Sequence, residues 1–135
     1  MNPMLKVSAA VLIAAMSAIP VLAAVDSAAV TMGTATSIAP ASSIDDLVGK
    51  WTMKDLDALN AAKSVTVFDT KNLYGATDIE MISDADTRAL GDLQKLHAAL
   101  NGNAALKAWF AKNKINPDRV VTITDVNGAV DLYLY

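Results

Sequence analysis

The sequence predicts an α+β fold in two layers, with helices packed on one side of a small sheet of about three strands that ends in a C-terminal β-hairpin. Three observations support this prediction: a strand-like run at Ser64–Asp69, two consecutive amphipathic helical patterns after it, and two strand-like runs around Asn127 and Gly128. The helices carry an apolar stripe and the hairpin has one apolar face, so each needs the other for burial.

The N-terminal residues have the order of a secretory signal peptide. A short head carries Lys6, an apolar run covers residues 7–21, and the small residues Ala23 and Ala24 follow. This order predicts a signal peptide at residues 1–23, cleaved after Ala23 or Ala24. The apolar run is close to the length of a spanning helix, so an uncleaved N-terminal anchor is the alternative.

Residues 24–43 consist mostly of Ala, Ser, Thr and Val, and Asp26 is their only charge. They show neither a helical nor a strand period and hold few large side chains to bury. We therefore expect a flexible leader at residues 24–43 and a single α+β domain at residues 44–135. A domain of roughly 90 residues can hold one modest core.

Two short helices are predicted before the first strand. The first begins near Ser43, with Asp45 and Asp46 at its N-terminal end, where the helix dipole favours negative charge. The second begins at Thr52, whose partner three residues later is Asp55, as in a capping box.

The first predicted strand is Ser64–Asp69, which is rich in β-branched and aromatic side chains. Both of its faces are fairly apolar, which favours a position inside the sheet or one covered on both sides. Residues 70–82 contain residues typical of turns and loops, namely Asn72, Gly75 and Thr77-Asp78, and we expect a loop there.

A helix pair follows the loop. The first helix opens at Ser83, ends at residues 101–102, and is followed by Asn103 as the cap of the second helix. Spacings of four, three and four place the apolar residues of the first helix on one face. These residues are Ala89, Leu93, Leu96 and Leu100, and those of the second helix are Leu106, Trp109 and Phe110.

The C-terminal hairpin has a register that its turn dictates. Asn127-Gly128 is a preferred two-residue hairpin turn, and it places Val126 opposite Ala129. The same count pairs Asp125 with Val130, Ile123 with Leu132 and Val121 with Leu134. One face then carries Val121, Ile123, Val130, Leu132 and Leu134, and the other carries Thr122, Thr124, Asp131, Tyr133 and Tyr135.

The polar face of this hairpin is the candidate interaction surface. It presents two tyrosines beside two threonines, a combination suited to a partner chain or a flat ligand. The residues are Thr122, Thr124, Tyr133 and Tyr135. The alternative is a face covered by the N-terminal helices, with Trp51 or Leu56 against it. If the last strand lies at the sheet edge, a partner can also add a strand there.

The residues needed for catalysis are sparse. His97 is the only histidine, cysteine is absent and no Gly-x-Ser-x-Gly occurs, so we expect no catalytic residues. The alternative is a small hydrolase-like or metal-dependent envelope enzyme that uses His97 as its base.

Metal and cofactor sites are likewise unsupported. One histidine and no cysteine exclude the common zinc sites, and isolated glycines offer no phosphate loop, so we expect neither metal nor cofactor. The acids Asp78, Glu80, Asp84 and Asp86 leave calcium-linked folding as an alternative, although Arg88 stands where a calcium loop needs an acceptor.

Charge and cysteine content limit the partners. The chain has 11 basic and 14 acidic residues, and removing residues 1–23 takes away Lys6, which changes the net charge from −3 to −4. This balance argues against nucleic acid, which is bound by clustered Lys and Arg. The absence of cysteine rules out a lipid-modified bacterial anchor and fits an envelope setting. We expect no stable membrane insertion after signal cleavage.

The combination of signal peptide, Ala/Ser leader, strand, helix pair and final Val-Val-x-Ile…Asn-Gly-x-Val-x-Leu-Tyr hairpin resembles small exported proteobacterial proteins of uncharacterised function. The resemblance covers mainly residues 64–135 and implies export. The sequence therefore predicts a periplasmic or secreted, non-enzymatic binding or assembly module. It does not identify the partner, and a protein of the bacterial envelope is one candidate.

Overall fold

The computed structural model describes residues 25–135, and the predicted signal peptide and its cleavage sites lie outside the described residues. The fold is α+β, as predicted, with six helices, a 3₁₀ turn and a four-stranded mixed sheet in this part of the chain. In chain order the elements are β1 (Ala29–Met32), α1 (Ala41–Asp45), α2 (Met53–Asn60), β2 (Ser64–Asp69), α3 (Thr70–Leu73), α4 (Ala76–Arg88), α5 (Leu90–Gly102), α6 (Ala104–Lys112), the 3₁₀ turn Pro117–Arg119, β3 (Val120–Val126) and β4 (Ala129–Leu134).

The strand order is β1-β2-β4-β3. β1, β2 and β4 run parallel, and β3 pairs antiparallel with β4 in the predicted C-terminal hairpin. β2 lies inside the sheet, as its two apolar faces indicated. β4 also lies inside, between β2 and β3, so neither of its sides is free for strand addition.

The hairpin keeps the predicted register near its turn and departs from it at the far end. Asn127 and Gly128 both have positive φ, and Ile123 faces Leu132 as expected. The predicted pairing of Val121 with Leu134 is wrong, because a register shift places Val120 opposite Leu134 instead. The extra residue forms an irregularity of the kind called a β-bulge, and the Val121 carbonyl accepts a hydrogen bond of 3.0 Å from the Gly49 N–H.

The segment expected to be a flexible leader contributes a strand and most of a helix. Residues 24–43 contain β1 and the start of α1, which is why the sheet has one strand more than the three expected. The Ala29 N–H donates to the Lys63 carbonyl at 3.1 Å, and the Gly33 N–H donates to the Val67 carbonyl at 2.7 Å. This parallel pairing joins residues far apart in the sequence, so it leaves no local hairpin signal.

The helical region begins earlier than predicted. Residues 70–82, expected to be a loop, form α3 and much of α4. The helix predicted from Ser83 is divided, because Ala89 leaves helical geometry between α4 and α5. Asn103 caps α6 as predicted, and its side-chain oxygen accepts from the Leu106 N–H at 3.1 Å.

The core lies between the predicted apolar stripe and the apolar side of the sheet. α2 and α5 pack against β3, and α5 also packs against α6. The helix residues that are fully buried in this core are Leu93, Leu96, Leu100, Leu106 and Phe110. The fully buried sheet residues facing them are Val65, Val67, Val130 and Leu132. Among residues 25–135, no helix is long and apolar enough to cross a membrane.

Candidate functional site

Two of the four predicted interaction residues lie in a covered part of the sheet. Tyr133 is 3% exposed and Thr122 is 1% exposed. The Tyr133 ring stacks on Phe68 with centroids 5.0 Å apart and planes inclined by 16°. Gly33 closes over Phe68, since a Cβ there would come within 2.1 Å of that ring. As folded, neither Tyr133 nor Thr122 is available to a partner.

The other two predicted residues are half-buried and lie at opposite ends of the hairpin. Thr124 pairs with Asp131 near the turn. Tyr135 lies at the other end, where the Lys71 ammonium sits 4.5 Å from the centre of its ring. The alternation predicted from the turn is therefore real, but the structure does not bring the four side chains into one accessible strip.

The carboxyl ends of β2 and β4 are held by internal contacts. Arg119 donates to both carboxylate oxygens of Asp69, at 2.8 and 3.1 Å, and to the Tyr135 carbonyl at 3.2 Å. The buried Thr70 hydroxyl donates to the Leu134 carbonyl at 2.7 Å. Parallel sheets commonly bind ligands at this end, but here its polar groups are used to join β2, β4 and the start of β3.

His97 is tied to the backbone of β3. Its Nε2 donates to the Val120 carbonyl at 2.8 Å, because a carbonyl oxygen can only accept. The ring thereby joins α5 to the first residue of β3. In a catalytic triad the nitrogen facing the substrate contacts a nucleophile's hydroxyl or thiol, whereas here Nε2 contacts a backbone carbonyl.

The acidic residues considered as calcium ligands all lie on one helix. Asp78, Glu80, Asp84 and Asp86 all belong to α4, which replaces the predicted loop. The described part of the chain contains no group of three or more His, Asp or Glu side chains placed to hold a metal ion. The helical spacing separates carboxylates that a loop would have to gather around calcium.

A surface cleft of about 490 Å³ lies between the loop after β1 and α4. The Tyr74 hydroxyl donates to the Ala39 carbonyl at its wall. Burial raises the pKa of Tyr74 to about 12, and the nearby Tyr133 and Asp78 add to this. The contact joins the segment that follows β1 to the helical layer.

In the described part of the chain, β1 is the most exposed strand of the sheet, since all four of its residues are exposed. Ala29 and Gly33 direct their N–H groups to β2, so the alternation of a strand turns the N–H and C=O groups of Val30 and Met32 outward. Val30 is 38% exposed and Met32 is 62% exposed. Within residues 25–135, no strand pairs with this edge.

The β1 edge also lacks two of the features that usually prevent strand addition, charged side chains and proline. Residues 27–33 contain no charged residue and no proline. Val30 and Met32 are absent from the predicted interaction surface because they lie in the Ala/Ser/Thr-rich segment. The one local signal was the run Val30-Thr31-Met32, which is short but compatible with a strand.

No protein-family model matches the sequence, and neither the curated proteins nor the solved structures give a significant match.

Proposed function

We propose that the protein is an exported, non-enzymatic assembly module that binds another protein chain by strand addition at the outer edge of β1. The observation that carries this proposal is the outward direction of the Val30 and Met32 backbone groups in an exposed, uncharged strand. In strand addition, main-chain hydrogen bonds supply affinity and alternate side chains supply specificity.

The side chains of β1 suit an extended polypeptide. Val30 and Met32 lie on the side of the sheet that carries Val65 and Val67, whereas Thr31 lies on the opposite side. An added strand would extend the apolar surface on the first side and the polar surface on the second. The partner is thus an extended segment with apolar side chains at alternate positions.

Export is the other part of the proposal. The apolar tract at residues 7–21 and the small residues Ala23 and Ala24 support a cleaved signal, as does the resemblance to small exported proteobacterial proteins. Val25, which follows the predicted cleavage sites, is 1% exposed and belongs to the core. The partner is then a protein of the periplasm or the cell surface.

Strand addition is tested with a synthetic peptide of residues 27–33 as the probe. The peptide is titrated into ¹⁵N-labelled protein recovered from the periplasm, and amide shifts are followed by NMR. We expect the largest shifts at the amides of Val30 and Met32, since their N–H groups gain acceptors. Shifts confined to β3, or none at millimolar peptide, would contradict the proposal.

A matched pair of variants controls this experiment. Val30→Pro removes one outward N–H and leaves the hydrogen bonds of Ala29 and Gly33 to β2 intact. Val30→Ala shortens the side chain and keeps the N–H. We expect peptide affinity to fall at least tenfold in the proline variant and to change much less in the alanine variant.

Export is tested by the mass of the protein recovered from the periplasm. We expect loss of residues 1–23 or 1–24. A chain that retains Met1 in a membrane fraction would support the uncleaved anchor instead.

A further inference from the structure

We propose that the strand added to β1 is β1 of a second copy, paired antiparallel across a two-fold axis so that the two sheets become continuous. This inference rests on the proposed function, because it names the partner for the same edge. It follows from the self-complementarity of the strand.

The hydrogen-bonding pattern fits its own two-fold copy. The backbone N–H and C=O groups of Val30 and Met32 point away from β2, and the two residues are separated by one residue. In an antiparallel pair centred on Thr31, Val30 faces the partner subunit's Met32, and each such pair exchanges both of its backbone hydrogen bonds. Thr31 then faces the partner subunit's Thr31 on the axis, at a non-hydrogen-bonded position.

The side chains fit the same arrangement. Val30 and the partner subunit's Met32 lie side by side on one face, and both side chains are exposed in the single chain. The two Thr31 side chains meet on the other face, where cross-strand threonine pairs are favourable. Because residues 27–33 carry no charge, no like charges meet near the axis.

The β3 edge does not offer the same fit. Asp125 is one of its exposed residues, and the Val121 carbonyl already accepts from Gly49. A two-fold pairing of β3 would bring two Asp125 carboxylates to the same short interface, where like charges repel. Self-association is therefore directed to β1.

The β1 interface is short. Stable protein interfaces bury about 1,200–2,000 Å² in total, and a pair of strands of this length buries less. We therefore expect a dimer in rapid, concentration-dependent exchange, which a covalent link at the axis would trap.

Cysteine trapping tests the register directly, because the chain contains no cysteine. In a non-hydrogen-bonded antiparallel pair the two Cα atoms are about 4.5 Å apart, within the range that a disulfide spans. We expect Thr31→Cys to form a disulfide-linked dimer under mild oxidation. Thr77→Cys, an exposed position on α4, is the matched control and is expected to stay largely monomeric.

Two second-site variants separate specific pairing from random collision. Val30→Pro and Met32→Lys, each combined with Thr31→Cys, are expected to slow dimer formation at least tenfold. Val30→Ala in the same background is expected to slow it less than threefold. Circular dichroism of the reduced proteins identifies any variant that fails to fold, and Met32→Lys retains the test if Val30→Pro misfolds.

Sedimentation equilibrium of the unmodified protein provides a second readout, with a dimer fraction that rises with concentration and falls in Met32→Lys. The inference is overturned if Thr31→Cys dimerises no faster than Thr77→Cys. If the peptide of residues 27–33 nevertheless binds at β1, strand addition stands and the partner is a different chain. If the peptide also fails to bind, the proposed function falls with the inference.

Discussion

The two edges of the sheet differ in how well they are protected. At the β3 edge, the Val121 carbonyl is bonded to Gly49, α2 packs against the strand, and Asp125 is exposed near the turn. At the β1 edge, the backbone groups of Val30 and Met32 face outward in an uncharged strand. Natural proteins commonly block edges with charges, bulges or covering elements. Within residues 25–135, β1 is therefore the less protected of the two edges.

The largest expected difference in the free energy of unfolding is between substitutions at the two ends of one row of residues that pair across the four strands. Met32, Val67, Leu132 and Ile123 pair in sequence across the sheet, with Met32 62% exposed and Ile123 3% exposed. We expect Ile123→Ala to lower the free energy of unfolding by about 3 kcal/mol, because it leaves a cavity.

Met32→Ala is the matched control, with an expected change within about 0.5 kcal/mol. Urea unfolding followed by tryptophan fluorescence measures both variants at concentrations too low for association. Equal losses would show that Met32 is packed as tightly as Ile123 and would break the comparison between the edges.

Gly49 tests what protects the β3 edge. Its φ of +78° is unfavourable for other residues, and an added Cβ would lie 2.6 Å from the Ala89 Cβ. We expect Gly49→Ala to destabilise the fold by about 2 kcal/mol through strain and crowding.

Gly91→Ala is the control with the opposite sign. Gly91 is the second residue of α5, and nothing lies within 4 Å of the position that an added Cβ would take, so alanine is expected to stabilise the fold by about 0.5 kcal/mol. Thermal unfolding of both variants measures the difference. A neutral Gly49→Ala variant would mean that the contact with Val121 tolerates rearrangement.

Tyr74 tests what holds the segment after β1. Removing its hydroxyl in Tyr74→Phe deletes the hydrogen bond to Ala39 and is expected to cost about 1 kcal/mol near neutral pH. Proteolysis within residues 33–40 should become faster if this contact anchors the segment.

The pH dependence of the same variant follows from the raised pKa of Tyr74. Burial, with smaller effects of Tyr133 and Asp78, raises this pKa from 10.0 in the unfolded chain to about 12 in the fold. Between these values the unfolded chain releases a proton that the folded protein retains, so stability present below pH 10 is lost as pH rises towards 12. We expect a shallower loss of thermal stability in Tyr74→Phe; identical slopes would contradict this assignment.

The smallest change in stability is expected from breaking the ion pair between Lys112 and Asp26, the latter of which precedes β1. The Lys112 Nζ lies 2.6 Å from the Asp26 Oδ1, but both side chains are exposed. We expect Lys112→Gln to change stability by less than about 0.5 kcal/mol. Val25→Ala, at a buried neighbour, is expected to cost about 2 kcal/mol. Chemical unfolding compares the two, and a larger loss in Lys112→Gln would show that charge rather than packing holds this segment.

Local signals predicted the parts of the fold that local interactions determine. Asn127 and Gly128 specify a turn that sets the hairpin register up to Thr122. The side chain of Asn103 predicted the start of α6. At the bulge, the Val121 carbonyl accepts from Gly49, which is distant in sequence, so no local pattern predicts this contact.

The candidate site was harder to predict for the same reason. β1 consists of small and β-branched residues whose strand conformation depends on parallel pairing with β2. The alternation of the hairpin placed Tyr133 and Thr122 on the correct face. Their burial depends on Phe68 and on the close approach of Gly33, which only the assembled sheet brings together.

The position of β4 sets the order in which the molecule can be completed. It is the latest of the four strands to be synthesised, yet it lies between β2 and β3 and holds the two halves of the sheet together. Until β4 emerges from the ribosome, β2 lacks its inner neighbour and the hairpin lacks one arm. Cooperative folding of the sheet is thus postponed to a late stage of synthesis.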